Sequence, residues 1–199
     1  MIQLFLKGGP VMWPLLLTSI TALAVVVERI LFLIGESRRR DPEAIENVLK
    51  LVESGHPDEA ARIGEESQDP VLQVISSGLE HRHESFTNAI LRKANETLRA
   101  YNRGLSTLDT IITLAPLLGL LGTVTGMIRA FGLMGNQELG MPNAITGGIA
   151  EALIATAFGL AIAILALIPF NYLNTRQEEV RHEVEDTATQ LEILLLGKR

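Results

Sequence analysis

The sequence predicts an all-α membrane protein with three transmembrane helices, two of which are long and extend into a cytoplasmic helical bundle. Composition supports this fold class, because 47% of the 199 residues are hydrophobic and the mean hydropathy is +0.27, which is too apolar for an ordinary soluble domain. Three apolar stretches also reach the roughly 20 residues that a membrane-spanning helix needs. Finally, heptad patterns continue from two of these stretches into polar sequence.

Charge and cysteine content narrow the functional classes. The formal net charge of -6 argues against nucleic acid as a partner, because binding to phosphates requires a basic surface. The chain has no cysteine, which excludes disulfides, thiol catalysis and cysteine-bound metal. His81 and His83 are two residues apart and therefore do not share a helix face. We expect no cofactor and no metal site.

Three apolar stretches define the predicted spans. The first has a longer apolar core than a signal peptide and no evident small-residue cleavage site, so we expect an uncleaved anchor. Glu28 and Arg29, near its end, are expected to snorkel to the inner interface. The predicted segments are an outer-face N-terminal segment 1–10, transmembrane helices 11–34, 108–131 and 149–172, a cytoplasmic helical loop 35–107, a short periplasmic turn 132–148 and a cytoplasmic helical tail 173–199.

The distribution of basic residues predicts the orientation. Lys and Arg are absent from the turn between the second and third spans, whereas arginines border the opposite ends of all three spans. An excess of basic residues marks the cytoplasmic side. The N-terminus is therefore expected outside and the C-terminus in the cytoplasm. The arginines concerned are Arg38, Arg39, Arg40, Arg99, Arg103, Arg176 and Arg181.

Heptad patterns predict that the second and third spans are the membrane halves of two long helices. Each pattern crosses the inner end of its span without a proline or a turn cluster, so we expect nearly continuous helices over Phe86–Phe131 and Thr146–Leu196. Three shorter helices are expected upstream, at Pro42–Glu53, Pro57–Glu66 and Pro70–Glu80. The seam residues are Leu91, Ala94, Leu98, Tyr101, Leu105, Leu108 and Ile112 in one helix and Leu173, Gln177, Val180, Val184, Thr187, Leu191 and Leu194 in the other.

Polar residues inside the spans are the candidate functional residues. An acidic side chain at the centre of a membrane helix costs roughly 2.5–3.5 kcal/mol, so Glu151 is expected to face a partner or a water path. Thr123 lies eight residues, about 12 Å, inward from Phe131, and Thr156 lies seven residues, about 10 Å, inward from Ile149. The two threonines are therefore predicted to share a layer, with Glu151 nearer the outer end.

Two simpler interpretations of these residues stay open. Threonines in membrane helices often bond the carbonyl one turn back, and small residues often serve only helix packing. Arg129 and Glu151 are each two residues from the outer end of a span, so an internal salt bridge at the rim is also possible. The small residues expected at the helix contact are Gly119, Gly122, Gly126 and Gly159.

Two segments carry a family resemblance. Ala115–Gly126 (APLLGLLGTVTG) resembles the second-span signature of the MotA/TolQ/ExbB proton-channel family, and Gly148–Thr156 (GIAEALIAT) resembles its third-span signature. The similarity is closest to ExbB and TolQ and extends over essentially the whole chain. It implies that Thr123, Glu151 and Thr156 line a proton path. Arg129 has no counterpart in the signature.

The resemblance further implies a function and partners. A homopentamer in the bacterial cell inner membrane would surround the membrane helices of an ExbD- or TolR-like dimer, whose aspartate takes and releases the proton. This stator-like motor would transmit work to a TonB- or TolA-like protein. Membrane lipids are the remaining expected partners. No nucleotide-binding signature is present, so ATP is not the expected fuel, and we do not expect an enzyme.

Two other classes of function compete with the motor. A non-conducting membrane scaffold would use the polar intramembrane residues for helix packing only. An intramembrane hydrolase would need a nucleophile and a base at matched depth. All four histidines lie in predicted cytoplasmic segments, which disfavours the hydrolase; they are His56, His81, His83 and His182.

Overall fold

The computed structural model describes residues 2–135 and 142–196, and these are almost entirely α-helical. The described residues contain no β-strand. The helices are α1 (Ile2–Lys7), α2 (Met12–Ser37), α3 (Pro42–Ser54), α4 (Pro57–Glu66), α5 (Pro70–Glu80), α6 (Phe86–Asn102), α7 (Leu105–Gly135) and α8 (Pro142–Leu196). Three helical stretches are long and apolar enough to cross a membrane, namely Met12–Ser37, Phe86–Gly132 and Thr146–Leu195. The predicted all-α membrane fold is confirmed.

The chain divides into two compact units. The first comprises Met1–Glu28 and Gly104–Asn171, and the second comprises Arg29–Arg103 and Tyr172–Arg199. Each unit therefore combines segments that are distant in sequence. Of the predicted periplasmic turn, residues 136–141 lie outside the described residues.

In the first unit, the start of α2 packs against α7 and α8. Val11, Met12, Leu15 and Ala115 form a buried apolar cluster. Partly buried side chains surround it, namely Phe5, Leu118, Phe158 and Ile162. The outward-facing side chains of the same helices are also apolar, as expected of helices in contact with lipid.

In the second unit, α3, α4 and α5 form a small helical domain. All three helices carry proline in the first turn, where its missing N–H costs nothing. Asp41 caps α3 by accepting from the Ala44 N–H, and Asp69 caps α5 by accepting from the Val71 N–H. The core joins these helices to α6 and to the end of α8, and includes Val48, Leu72, Ile75, Leu79, Tyr101, Val184 and Leu191.

A charged network ties the loop before α3 to α5 and α8. The fully buried Asp69 carboxylate accepts from the Asp41 N–H at 2.7 Å and lies 3.4 Å from the Arg40 Nε. Arg40 also donates to Glu183. Burial disfavours the guanidinium charge, but the contacts with Glu183 and Asp69 outweigh it and raise the pKa of Arg40 above its ordinary value. The Arg40 guanidinium thus links three segments that are distant in the sequence, namely the loop before α3, the start of α5 and α8.

The structure of the second unit contradicts the prediction that the Arg29 side chain snorkels to the inner membrane interface. This side chain does not snorkel: it is 2% exposed, donates to the Ala100 carbonyl at 2.8 Å and stacks on Phe32 at 4.8 Å. The physical reason is that a guanidinium can be buried where a carbonyl and an aromatic face satisfy it.

The predicted heptad seams are only partly right. The seam of the tail is correct, because Leu173, Gln177, Val180, Val184, Thr187 and Leu191 are all buried. In α6, however, Leu91 is 54% exposed and the neighbouring Ile90 is buried. An α-helix has 3.6 residues per turn, so a strict heptad drifts off the contact face.

The first long helix is nearly continuous but has a two-residue break, at Arg103 and Gly104, that the sequence pattern did not predict. Arg103 adopts an extended conformation and Gly104 a left-handed one, with φ of 79°, so α6 ends before them and α7 begins after them. A single glycine can leave the helical conformation without steric cost, even where no proline or turn cluster is present. By contrast, α8 is continuous over 55 residues, close to the predicted Thr146–Leu196.

Candidate functional site

A ridge of small residues joins α7 to α8. A Cβ at Gly119 would lie 3.0 Å from the Thr156 Cα, and one at Gly126 would lie 2.9 Å from the Ala152 Cβ. One at Gly159 would lie 2.5 Å from the Ala115 carbonyl oxygen. The two backbones therefore approach as closely as glycine allows, which is the packing mode of small residues in membrane helices.

This contact fixes the register of the predicted threonine layer. The helices are antiparallel, and Gly122 lies directly against Ala155. Thr123 and Thr156 are each the next residue along the chain. At a rise of 1.5 Å per residue in opposite directions, their levels differ by about 3 Å. The structure thus brings the two threonines to nearly the same depth.

The two threonines make different hydrogen bonds. The Thr156 hydroxyl donates across the helix contact to the Gly119 carbonyl at 2.9 Å. The Thr123 hydroxyl donates within its own helix to the Leu120 carbonyl at 2.6 Å. Both side chains are partly exposed. Each hydroxyl oxygen retains acceptor capacity for water or for a protonated carboxyl group.

Glu151 forms the ion pair that the sequence left open. Its Oε1 accepts from Arg129 Nη1 at 2.7 Å, with side-chain exposures of 22% and 51%, respectively. The pair joins α8 to α7 between one and two helical turns from the threonines. Arg129 therefore compensates the charge that Glu151 would otherwise carry alone in an apolar environment.

The N-terminal turn packs against this pair. Gly9 has φ of 74°, and a Cβ at this position would overlap Glu151 Oε1. A Cβ at Gly8 would lie 3.1 Å from the Ile154 side chain. The sequence pattern does not predict this contact, although the run Gly8-Gly9-Pro10 is a recognisable turn signal.

The ion pair and the threonines lie on opposite sides of the α7–α8 contact. Glu151 and Thr156 are about 140° apart around α8, and Thr123 and Arg129 are about 120° apart around α7. In each helix the glycine and alanine ridge lies between the two positions. The structure therefore does not bring Glu151 to the threonines. The N-terminal turn covers the side of the ion pair, and the threonine side is open.

Sequence comparisons relate the chain to proteins of one family. A sequence model of the MotA/TolQ/ExbB proton channel family matches residues 66–186. The chain is 38% identical to putative biopolymer transport protein ExbB-like 1 of Synechocystis sp., over 96% of this chain and 77% of the relative. It is 30% identical to biopolymer transport protein exbB1 of Vibrio cholerae, over 98% of this chain and 88% of the relative. It is also 32% identical to the Tol-Pal system protein TolQ of Haemophilus influenzae, over 52% of this chain and 47% of the relative.

Proposed function

Because this multi-pass membrane protein belongs to the MotA/TolQ/ExbB proton channel family, we propose that it is the stator-like subunit of a proton-driven motor in the bacterial inner membrane. In this proposal, five copies surround the membrane helices of an ExbD- or TolR-like dimer. Proton flow through the assembly drives work on a TonB- or TolA-like envelope protein. The N-terminus faces the periplasm and the C-terminus the cytoplasm.

The observation that carries the proposal is the threonine layer. Thr123 and Thr156 lie at nearly one depth, on the side of the α7–α8 contact that the N-terminal turn leaves open. Each hydroxyl can accept one hydrogen bond while donating to a backbone carbonyl. In a ring with α7 and α8 on the inside, such layers would surround the central helices and hold water beside the partner's aspartate.

The energetics favour a path with few polar groups. A proton crossing about 100 mV releases about 2.3 kcal/mol, which can drive movement only if protons do not leak past the moving part. Leucine and valine side chains border both threonines along α7 and α8 and would exclude bulk water. The hydroxyls would then relay a proton only when the partner's carboxyl group is level with them.

We propose that Glu151 acts on the outer mouth of the path through its charge, from the side of the α7–α8 contact that the N-terminal turn covers, and does not line the threonine side. Its pairing with Arg129 leaves a dipole at the mouth in place of a full negative charge. Glu151→Gln is therefore expected to impair function less completely than Thr156→Val. The amide still accepts a hydrogen bond from Arg129, whereas valine offers no hydrogen bond to water.

Proton flux in liposomes tests this proposal. The chain would be co-expressed and purified with an ExbD- or TolR-like partner, and proton uptake would be driven by a membrane potential. The Thr123→Val, Thr156→Val double variant should retain the complex and lose proton flux. Thr125→Val is the matched control, because Thr125 points about 160° away from Thr123 around α7 and its hydroxyl likewise donates within α7, to the Leu121 and Gly122 carbonyls.

The same experiment separates the motor from a non-conducting scaffold. A scaffold would show no proton flux even in the unaltered complex, and because it would use the threonines for packing alone, the double variant would lose assembly. Normal flux in the double variant would refute the threonine path. Complementation of a deletion strain by the same variants links the flux to envelope function.

A further inference from the structure

Asp109 is an ionisable residue of α7 that the threonine layer does not explain. It is the second residue of the predicted span, and its side chain is exposed. Its carboxylate makes no ion pair and no side-chain hydrogen bond with any residue that the structure describes. Glu151, in contrast, has Arg129 as its counter-ion. An ionisable side chain within a predicted span is a candidate functional residue, and at the end of the span it can exchange protons with interfacial water.

Asp109 lies on the same side of α7 as Thr123. Fourteen residues separate them, which is nearly four helical turns, so their directions differ by only about 40° and their levels by about 21 Å. The small-residue ridge that contacts α8 is adjacent to this side. This face of α7 therefore follows the edge of the α7–α8 contact from Thr123 to the end of the span at Asp109.

The packing of α2 leaves this side of α7 open. The groove between α2 and α7 is lined by Leu17, Thr18 and Thr21 of α2 and by Ser106, Thr107, Thr110 and Ile111 of α7. Asp109 does not belong to that groove. Thr107 and Thr110 point about 160° and about 100° away from Asp109 around the helix, and Ser106 points about 60° away. Asp109 therefore lies outside the groove, on the Thr123 side, which would face the ring interior in the proposed assembly.

We propose that Asp109 is a proton-binding group at the cytoplasmic end of the path through the threonine layer. The inference rests on the proposed function and adds a residue to the same path. The carboxylate accepts a proton that has been relayed past the threonine layer and releases it to cytoplasmic water. No covalent bond to another group forms, and the residue returns to its starting state after each proton.

Charge-selective variants test the proposed role. In the liposome assay, Asp109→Asn is expected to lower proton flux by at least about tenfold, because the amide cannot bind and release a proton. Asp109→Glu should retain most of the flux. Asp186→Asn is the matched control, since Asp186 is exposed in α8, outside the predicted spans. Co-purification of the partner checks that each variant assembles.

Cysteine labelling provides a readout that does not depend on flux. The natural chain has no cysteine, so single substitutions report on their own surroundings. A water-soluble thiol reagent should label Asp109→Cys, Leu120→Cys and Thr123→Cys in the assembled complex. Leu120 and Leu121 are neighbours that are 56% and 50% exposed in the single chain. Leu121→Cys, which points about 100° away from Leu120, should resist the reagent because it would face lipid.

The outcomes distinguish this inference from the proposed function. Normal flux in Asp109→Asn, with loss of flux in the threonine double variant, would overturn the role of Asp109 and leave the path intact. Labelling of Leu121→Cys as fast as Leu120→Cys would overturn the assignment of this side to the path. Loss of flux in Asp109→Glu equal to that in Asp109→Asn would show that geometry, and not proton binding, is what matters there.

Discussion

Gly9 is the residue whose conformation and contact both require glycine. Its φ of 74° is a region that other residues adopt at a cost of roughly 1–2 kcal/mol. A methyl group there would also displace the Glu151 carboxylate from its position beside Arg129. The conformation of the N-terminal turn and the Glu151–Arg129 ion pair therefore both depend on the absence of a side chain at Gly9.

We predict that Gly9→Ala lowers stability and weakens the ion pair. Arg129→Gln alone should clearly lower the free energy of unfolding. In the Gly9→Ala background the same substitution should lower it less, because the ion pair is already weakened there. A double-mutant cycle on the free energy of unfolding in detergent measures this coupling. Gly35→Ala is the control, because nothing lies within 4 Å of a Cβ at Gly35. Additive effects would contradict the coupling.

Asp69 is the buried carboxylate of the second unit, and we predict a large effect of its removal. Asp69→Ala deprives the Val71 and Asp41 N–H groups of their acceptor and removes one anion from Arg40. Breaking a buried ion pair in this way costs about 3 kcal/mol or more. Asp58→Ala is the matched control, since Asp58 pairs with Arg82 but is 86% exposed. Chemical denaturation compares the two, and equal losses would be inconsistent with the buried network.

At the scale of helices, the α7–α8 contact depends on the absence of side chains. A Cβ at Gly159 meets the backbone carbonyl of Ala115, which cannot rotate away as a side chain would. Overpacking of this kind costs typically about 1–3 kcal/mol. The same substitution at a glycine without neighbours removes only the helix penalty of glycine, about 1 kcal/mol.

We therefore predict opposite signs for two Gly→Ala substitutions. Gly159→Ala should destabilise the helix pair, and Gly132→Ala should be neutral or stabilising, because nothing lies within 4 Å of a Cβ at Gly132. Thermal unfolding of the purified protein in detergent gives the comparison. An unchanged or higher unfolding temperature for Gly159→Ala would show that α7 and α8 do not pack as described.

At the scale of the whole molecule, the outer surfaces of the spans are apolar. Leu17, Leu23, Ile128, Leu165 and Ile168 are each 65–71% exposed in the single chain. Apolar surface of this extent is stable only against lipid or other protein. Lipid can cover α2, whereas the threonine side of α7 and α8 is the surface that the proposed ring would enclose.

We predict that the chain forms one closed oligomer, with five copies as the expected number. Native mass spectrometry of the detergent-solubilised protein should show a single dominant species. Gly159→Ala should reduce its abundance, whereas Gly132→Ala should not. A monomer or dimer that persists under gentle conditions would rule out the ring.

Local sequence determined the helices, the membrane class and the family. Apolar stretches of sufficient length can satisfy their backbone groups in lipid only as helices, and proline after a capping aspartate marks the starts of α3 and α5. The family signatures at Ala115–Gly126 and Gly148–Thr156 could likewise be recognised from the sequence, because each consists of consecutive residues. The depths of Thr123 and Thr156 followed from counting residues along two helices.

Only the tertiary structure decided which residues face one another. The contact of Gly9 with Glu151, the hydrogen bond from Thr156 to Gly119 and the burial of Arg29 join segments that are distant in the chain. The break at Gly104 is local, yet the heptad pattern gave no sign of it. Periodicity reports which side of a helix is apolar but not which helix covers that side, because the partner depends on how the whole chain packs.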